Sequence, residues 1–132
     1  MLDRIEKVAE EWRVHTLRFG QESYDPDLSA FELDNLCHDD PELALQVILR
    51  IIMSVDSKDL SATSENDAKT LLSNLGAGPL EDLLVYHGTR VIDIIERSAR
   101  EDKRVAWTLG NTWRNSIPRE IWERVQKVSL LD

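Results

Sequence analysis

Cysteine occurs once in the 132 residues, as Cys37. No intramolecular disulfide can form, and a lone thiol is expected as a small buried apolar residue of a chain kept in a reducing compartment. The opening Met1-Leu2-Asp3-Arg4-Ile5-Glu6 lacks the basic-then-apolar order of a secretory signal. The longest apolar stretch, residues 47–53, is interrupted by Arg50 and is far too short to span a bilayer. A cytoplasmic protein with no membrane partner is expected. Sustained apolar/polar alternation is also missing, which excludes half-buried strands. Nucleophile-elbow and zinc-peptidase patterns are absent, and Gly76-Ala77-Gly78-Pro79 lacks the lysine of a phosphate loop.

Basic residues are scarce in one half. Residues 1–60 hold 14 acids against 6 bases, and residues 61–132 hold 11 against 10. Most of the net charge of -9 therefore belongs to the N-terminal half. No lysine or arginine lies between Arg18 and Arg50, whereas Glu22, Asp25, Asp27, Glu32, Asp34, Asp39, Asp40 and Glu42 do. Such a surface repels phosphate backbones and attracts cations or basic proteins, so direct nucleic-acid binding is not expected.

What is present is helical punctuation. Leu2, Ile5, Val8, Ala9, Trp12, Thr16 and Phe19 step at three and four residues through a first amphipathic helix closed by Gly20. A short segment with Phe31, Leu33 and Leu36 follows. Asp40 is placed to cap a helix with Pro41 at its first position and Glu42 in its first turn. That helix, to about Ser54, is apolar on nearly all faces and should be central, with Ile48, Leu49 and Ile52 in the core. Residues 56–64 read as a polar loop. Ser64 and Asp67 resemble a capping box opening a helix that ends near Gly76. Gly78 and Pro79 start the next helix, Gly88 stops it, and Thr89 caps another in which Asp93 with Arg97 and Glu96 with Arg100 pair along the surface. Residues 103–110 add a turn or two. Pro118 opens a last helix, and Trp107, Trp113 and Trp122 should close the core. The expectation is an all-α single domain over residues 1–132. Either an irregular helical bundle or a short solenoid-like array of helical hairpins, with about six or seven helices, would suit it.

Three blocks carry a family likeness: residues 36–44 (LCHDDPELA), residues 77–88 (AGPLEDLLVYHG) and Ile117-Pro118-Arg119-Glu120-Ile121-Trp122. With them, residues 33–128 resemble a family of small bacterial helical proteins catalogued as a domain of unknown function. The resemblance implies a helical fold and carries over no activity.

Glu81, Asp82 and His87 look catalytic, but a helix from Pro79 to Gly88 puts the acids at its positive end and the imidazole at its negative end, which makes them architectural. Cys37-His38-Asp39-Asp40 offers adjacent metal-ligating side chains, yet neighbours in a row cannot converge on one ion, and no calcium-loop spacing exists among the acids. No catalytic, cofactor or metal residue is assigned. The sharpest candidate is a docking surface of Glu22, Tyr24, Asp25, Asp27, Phe31, Glu32, Asp34, Asp39 and Asp40, with aromatic residues inside an acidic rim. It suits an immunity or inhibitor protein that neutralises a basic partner such as a cognate toxin. Alternatives are a structural or accessory helical domain that self-associates through its basic C-terminal elements, and, more remotely, an enzyme using Glu81 and His87.

Overall fold

The computed structural model describes residues 3–18 and 32–129, and the regular structure among them is all helical. Helix α1 (Arg4–Arg18) is closed at its start by Asp3, whose carboxylate accepts from the Glu6 N–H at 2.8 Å. It buries Val8, Ala9 and Trp12. Helix α2 (Glu32–Asp39) buries Leu33, Leu36 and Cys37. Helix α3 (Pro41–Met53) begins as its sequence requires: Asp40 accepts from the Leu43 N–H at 3.2 Å, and Pro41, lacking an N–H, wastes no donor at the first position. Val47, Ile48, Ile51 and Ile52 are fully buried, and α3 packs against α1, α2, α6 and α7. It is the central helix. Leu49 is only partly buried and Met53 is exposed, because neighbours cover one broad stripe of α3 rather than its whole circumference.

The serine-rich segment after α3 is not an open loop. Asp56 accepts from the Lys58 N–H at 2.9 Å and starts the short helix α4 (Ser57–Ser61). Helix α5 (Asp67–Leu75) is capped by Asn66, not Ser64: the amide oxygen of Asn66 accepts from the Lys69 N–H at 2.9 Å. Asparagine immediately before the first helical residue satisfies the orphan donor that the serine, two residues earlier, would have to reach.

Of the two glycine stops expected from the sequence, Gly76 is not a stop, whereas Gly88 adjoins a break in the helix. Beyond Leu75 the chain continues as a π-helical turn, Gly76–Leu80, and passes directly into α6 (Glu81–Glu101). Pro79 lies inside that turn, where its missing N–H interrupts the ordinary ladder and a wider turn absorbs the fault. Near Gly88 the backbone kinks at His87 (φ -139°, ψ 29°) and resumes, so Thr89 caps nothing. Both glycines sit where a neighbouring element approaches, Gly76 far more tightly than Gly88. A Cβ on Gly76 would lie 2.3 Å from the Thr108 carbonyl oxygen, and one on Gly88 would lie 3.2 Å from the Ile121 side chain.

Asp102 caps α7 (Lys103–Leu109), accepting from the Arg104 N–H at 2.9 Å, and α8 (Arg119–Val128) follows Pro118. Trp107 and Trp122 pack partly buried on the core, whereas Trp113 is 69% exposed and does not close it. The expected pairs along α6 are replaced by a link between helices: Arg124 of α8 takes both Glu96 and Asp93, the latter at 2.6 Å. A crossing helix brings the guanidinium closer than Arg97 or Arg100 can reach along their own helix. On the other side, Glu6 of α1 binds Arg13 at 3.0 Å and Arg50 of α3 at 2.9 Å.

One apolar core joins these elements. Helix α1 touches α5 as well as α3, α2 touches α6, and α3 touches α7. Contacts that skip along the chain in this way belong to an irregular bundle, not to a solenoid in which each repeat meets only its neighbours. Among the described residues no helix is long and apolar enough to cross a membrane.

Candidate functional site: the α2–α6 face

Helices α2 and α6 lie against each other, and residues four apart on each helix share a face. Asp34 and His38 form such a pair on α2, and Asp82 and Tyr86 form another on α6. The two pairs meet. The His38 and Tyr86 rings sit 3.9 Å apart between centroids, tilted at 45°. Asp34 is half-buried, and burial followed by the nearby Asp82 charge pushes its carboxyl above the usual range, with His38 acting weakly in the opposite sense. Asp82 is raised as well, by burial first, with His38 opposing and Glu81 adding to the rise. Two carboxyls raised by burial thus share this face with the His38 imidazole.

Bases that would answer these acids are engaged elsewhere. Arg90, one turn beyond Tyr86, binds Glu42 at 3.1 Å, and Arg4 binds Glu32 at 3.2 Å. Asp34, Asp39 and Asp82 make no ion pair among the described residues. Tyr86 remains 55% exposed on the same helical face as Asp82.

The face is rigidly underpinned. Cys37 is buried, its thiol donates to the Pro79 carbonyl at 3.3 Å, and burial pushes its pKa well up, so it is a packing residue joining α2 to the π turn. Nε2 of His87 lies 2.6 Å from the His38 carbonyl oxygen. A carbonyl only accepts, so Nε2 carries the proton and satisfies one of the orphan acceptors at the end of α2. His87 is therefore a brace at the kink where one helical run ends and the next begins. Glu81 is buried, and its two oxygens accept from the Trp113 N–H at 2.8 Å and the Asn115 side-chain amide at 2.7 Å. Asn115 itself holds a left-handed backbone (φ 40°). Glu81 clamps the α7–α8 connection onto the start of α6, a role more specific than complementing a helix end.

The residues expected to form a docking surface divide into three groups. Glu22, Tyr24, Asp25, Asp27 and Phe31 lie outside the described residues. Glu32 is paired with Arg4, and Asp40 is spent on capping α3. Asp34 and Asp39 remain available, and the structure adds Asp82, His38 and Tyr86, which sequence reasoning assigned to helix punctuation or left aside. The matching spacings 34/38 and 82/86 were a usable signal; that the two pairs face each other is not written in either segment. Among the described residues no group of three His, Cys, Asp or Glu side chains is placed to hold a metal ion.

Residues 21–131 match a family described as "Family of unknown function (DUF6869)". No curated protein and no solved structure matches the chain.

Proposed function

The chain belongs to the DUF6869 family, whose function is unknown, and from that premise we propose that it is a non-catalytic binding protein that docks a basic protein partner on the α2–α6 face, in the manner of an immunity or inhibitor protein. One observation carries the proposal: Asp34 and Asp82 share a face with the stacked His38 and exposed Tyr86 rings and have no arginine or lysine bound to them, although arginines take up acids over much of the rest of the molecule. A partner's lysine or arginine placed there gains two carboxylates already gathered and partly desolvated, with an aromatic ring for its aliphatic stem or guanidinium plane. Hot spots of this make-up, an aromatic within a charged rim, dominate many interfaces. The engagement of Glu81 and His87 by different parts of the chain supports the non-catalytic reading. A basic toxin whose own substrate site is positive is the kind of partner this surface fits.

The test compares wild type, an Asp34→Lys/Asp82→Lys double variant and a Glu101→Lys control, each used to capture the protein encoded beside it in the genome of its source. Capture by wild type and by the control, but not by the double variant, is expected, with added salt weakening it. Capture should also weaken as pH falls towards the carboxylate range, since Asp34 and Asp82, both raised, lose charge before ordinary acids do. Equal capture by all three variants at low and high salt would remove the α2–α6 face from the proposal.

A further inference from the structure

Helices α4, α5 and α7 meet around a cleft of about 740 Å³ that shares no residue with the α2–α6 face. In a chain of net charge -9 its lining is basic: Lys58, Lys69, Lys103 and Arg104 against the single acid Glu65. Leu60, Ala62 and Trp107 supply apolar wall, and Ser57, Ser61, Ser73 and Asn111 supply neutral polar groups.

The four cations do two different jobs. Lys69 donates to the Ala62 carbonyl at 2.5 Å and the Ser64 carbonyl at 3.0 Å, holding the α4–α5 connection in place. Arg104 donates to the Val55 carbonyl at 2.9 Å and the Met53 carbonyl at 3.2 Å while its charge is answered by Asp102 at 2.7 Å. Asn66 adds a bond to the Asp59 carbonyl at 2.8 Å. The walls are therefore fixed by bonds from side chains to backbone before anything enters. Lys58 and Lys103, from α4 and α7, are exposed and have no ion-pair partner among the described residues. They are not needed to build the cleft, and Arg104 with Asp102 cancels locally. What remains is positive charge at a preformed concavity whose size lies within the roughly 300–1,000 Å³ of small-molecule sites.

We propose that this cleft is a binding site for a small organic phosphate bearing a flat ring, of the nucleoside diphosphate class. Lys58 and Lys103 engage the phosphates as mobile point charges. Trp107 and Leu60 cover the ring, and Asn111, whose amide nitrogen is spent on the Trp107 carbonyl at 3.0 Å, keeps its oxygen free to accept from an exocyclic amine. An inorganic anion alone would leave the apolar wall unused, and a neutral ring alone would leave the lysines unanswered. Specificity for a molecule containing both parts follows from that division.

The experiment is isothermal titration of the full chain with ADP, adenosine and inorganic pyrophosphate, on wild type, Lys58→Glu/Lys103→Glu, Trp107→Leu and an Arg119→Glu control. Saturable ADP binding is expected in wild type and in the control. Adenosine and pyrophosphate should each bind at least about tenfold more weakly than ADP, and the lysine double variant should lose a comparable factor, each lysine–phosphate contact being charge-assisted. Trp107→Leu should weaken ADP more than pyrophosphate, which separates loss of the ring wall from any general loosening of the core. The lysines are exposed, so their variant keeps the test valid if Trp107→Leu fails to fold. Absence of saturable ADP binding, ADP binding unchanged by the lysine double variant, or pyrophosphate binding as tight as ADP would each overturn the proposal.

Discussion

Glu81 illustrates how a residue conspicuous for chemistry is used for construction. Both its oxygens are occupied by donors from the α7–α8 connection, one a main-chain N–H and the other the amide of a residue with left-handed backbone. Hydrogen bonds to a charged acceptor are worth more than neutral ones, and removing the acceptor leaves the donors unpaired. Replacing Glu81 by alanine is expected to cost about 1–3 kcal/mol in urea unfolding and to quicken tryptic cleavage after Arg114, which lies within the released connection. An unchanged unfolding midpoint together with unchanged cleavage would show that the clamp is dispensable. His38 and His87 divide their roles in a similar way. The imidazole of His38 belongs to the surface with Tyr86, while that of His87 is turned to the backbone of α2.

At the scale of elements, three glycines within thirteen residues answer to alanine for three different reasons. Gly76 meets the Thr108 backbone oxygen at 2.3 Å from where a Cβ would be, so α5 and α7 must separate, at a cost of about 1–3 kcal/mol as for other overpacked sites. Gly88 meets only the Ile121 side chain at 3.2 Å, which can give by a few tenths of an ångström, and the gain in helix propensity offsets the crowding. Gly78 has nothing within 4 Å apart from its chain neighbours, but a Cβ on a helical residue meets the ring of the following Pro79, which offsets the gain through the unfolded chain, so Gly78→Ala should stay close to wild type. Thermal melts should therefore leave Gly78→Ala and Gly88→Ala close to wild type and place Gly76→Ala clearly below. A Gly76→Ala variant as stable as wild type would mean that α7 does not approach the π turn as closely as described.

Across the whole molecule the titrating acids act on stability with opposite signs. Asp34 and Asp82 are raised, so the native state takes up their protons first and the cost of holding them charged is relieved as pH falls from neutrality through their folded values. Glu6, Glu96 and Asp102 are lowered, chiefly by hydrogen bonds from Arg50 and Arg13, from Arg124 and from Arg104 respectively. Their contribution is complete above the ordinary carboxylate range and is lost as pH falls through their depressed folded values. The melting temperature should accordingly rise on mild acidification, helped by the falling net charge, and then decline. Asp34→Asn/Asp82→Asn should be more stable than wild type at neutral pH and show a smaller initial rise, the two curves converging once the native carboxyls are protonated. Superimposable curves would show that the pair is not strained. The double variant also links stability to binding, because a partner's cation would relieve the same repulsion that amide substitution removes.

The sequence by itself determined the helical class, the central helix with its Asp40-Pro41 start, and the burial of Cys37. Each of these depends on local periodicity or on a cap adjacent to its helix, and such information sits within a few residues of where it acts. Tertiary structure decided the rest. Gly76 and Gly88 read as stops because glycine is permissive, but α7 and α8 use them as places of close approach, and only the packed helices say which. Arg124 drew Asp93 and Glu96 away from their expected partners because a crossing helix came nearer than the next turn. The candidate face was half legible: the acidic excess and Asp34 could be read along the chain, whereas the meeting of Asp34 and His38 with Asp82 and Tyr86 joins residues 48 apart. The basic cleft has the same origin, assembled from α4, α5 and α7 inside an acidic chain. Local chemistry selects helices within one or two turns, but charge and surface act through space, so where they gather is set by which helices the core brings together.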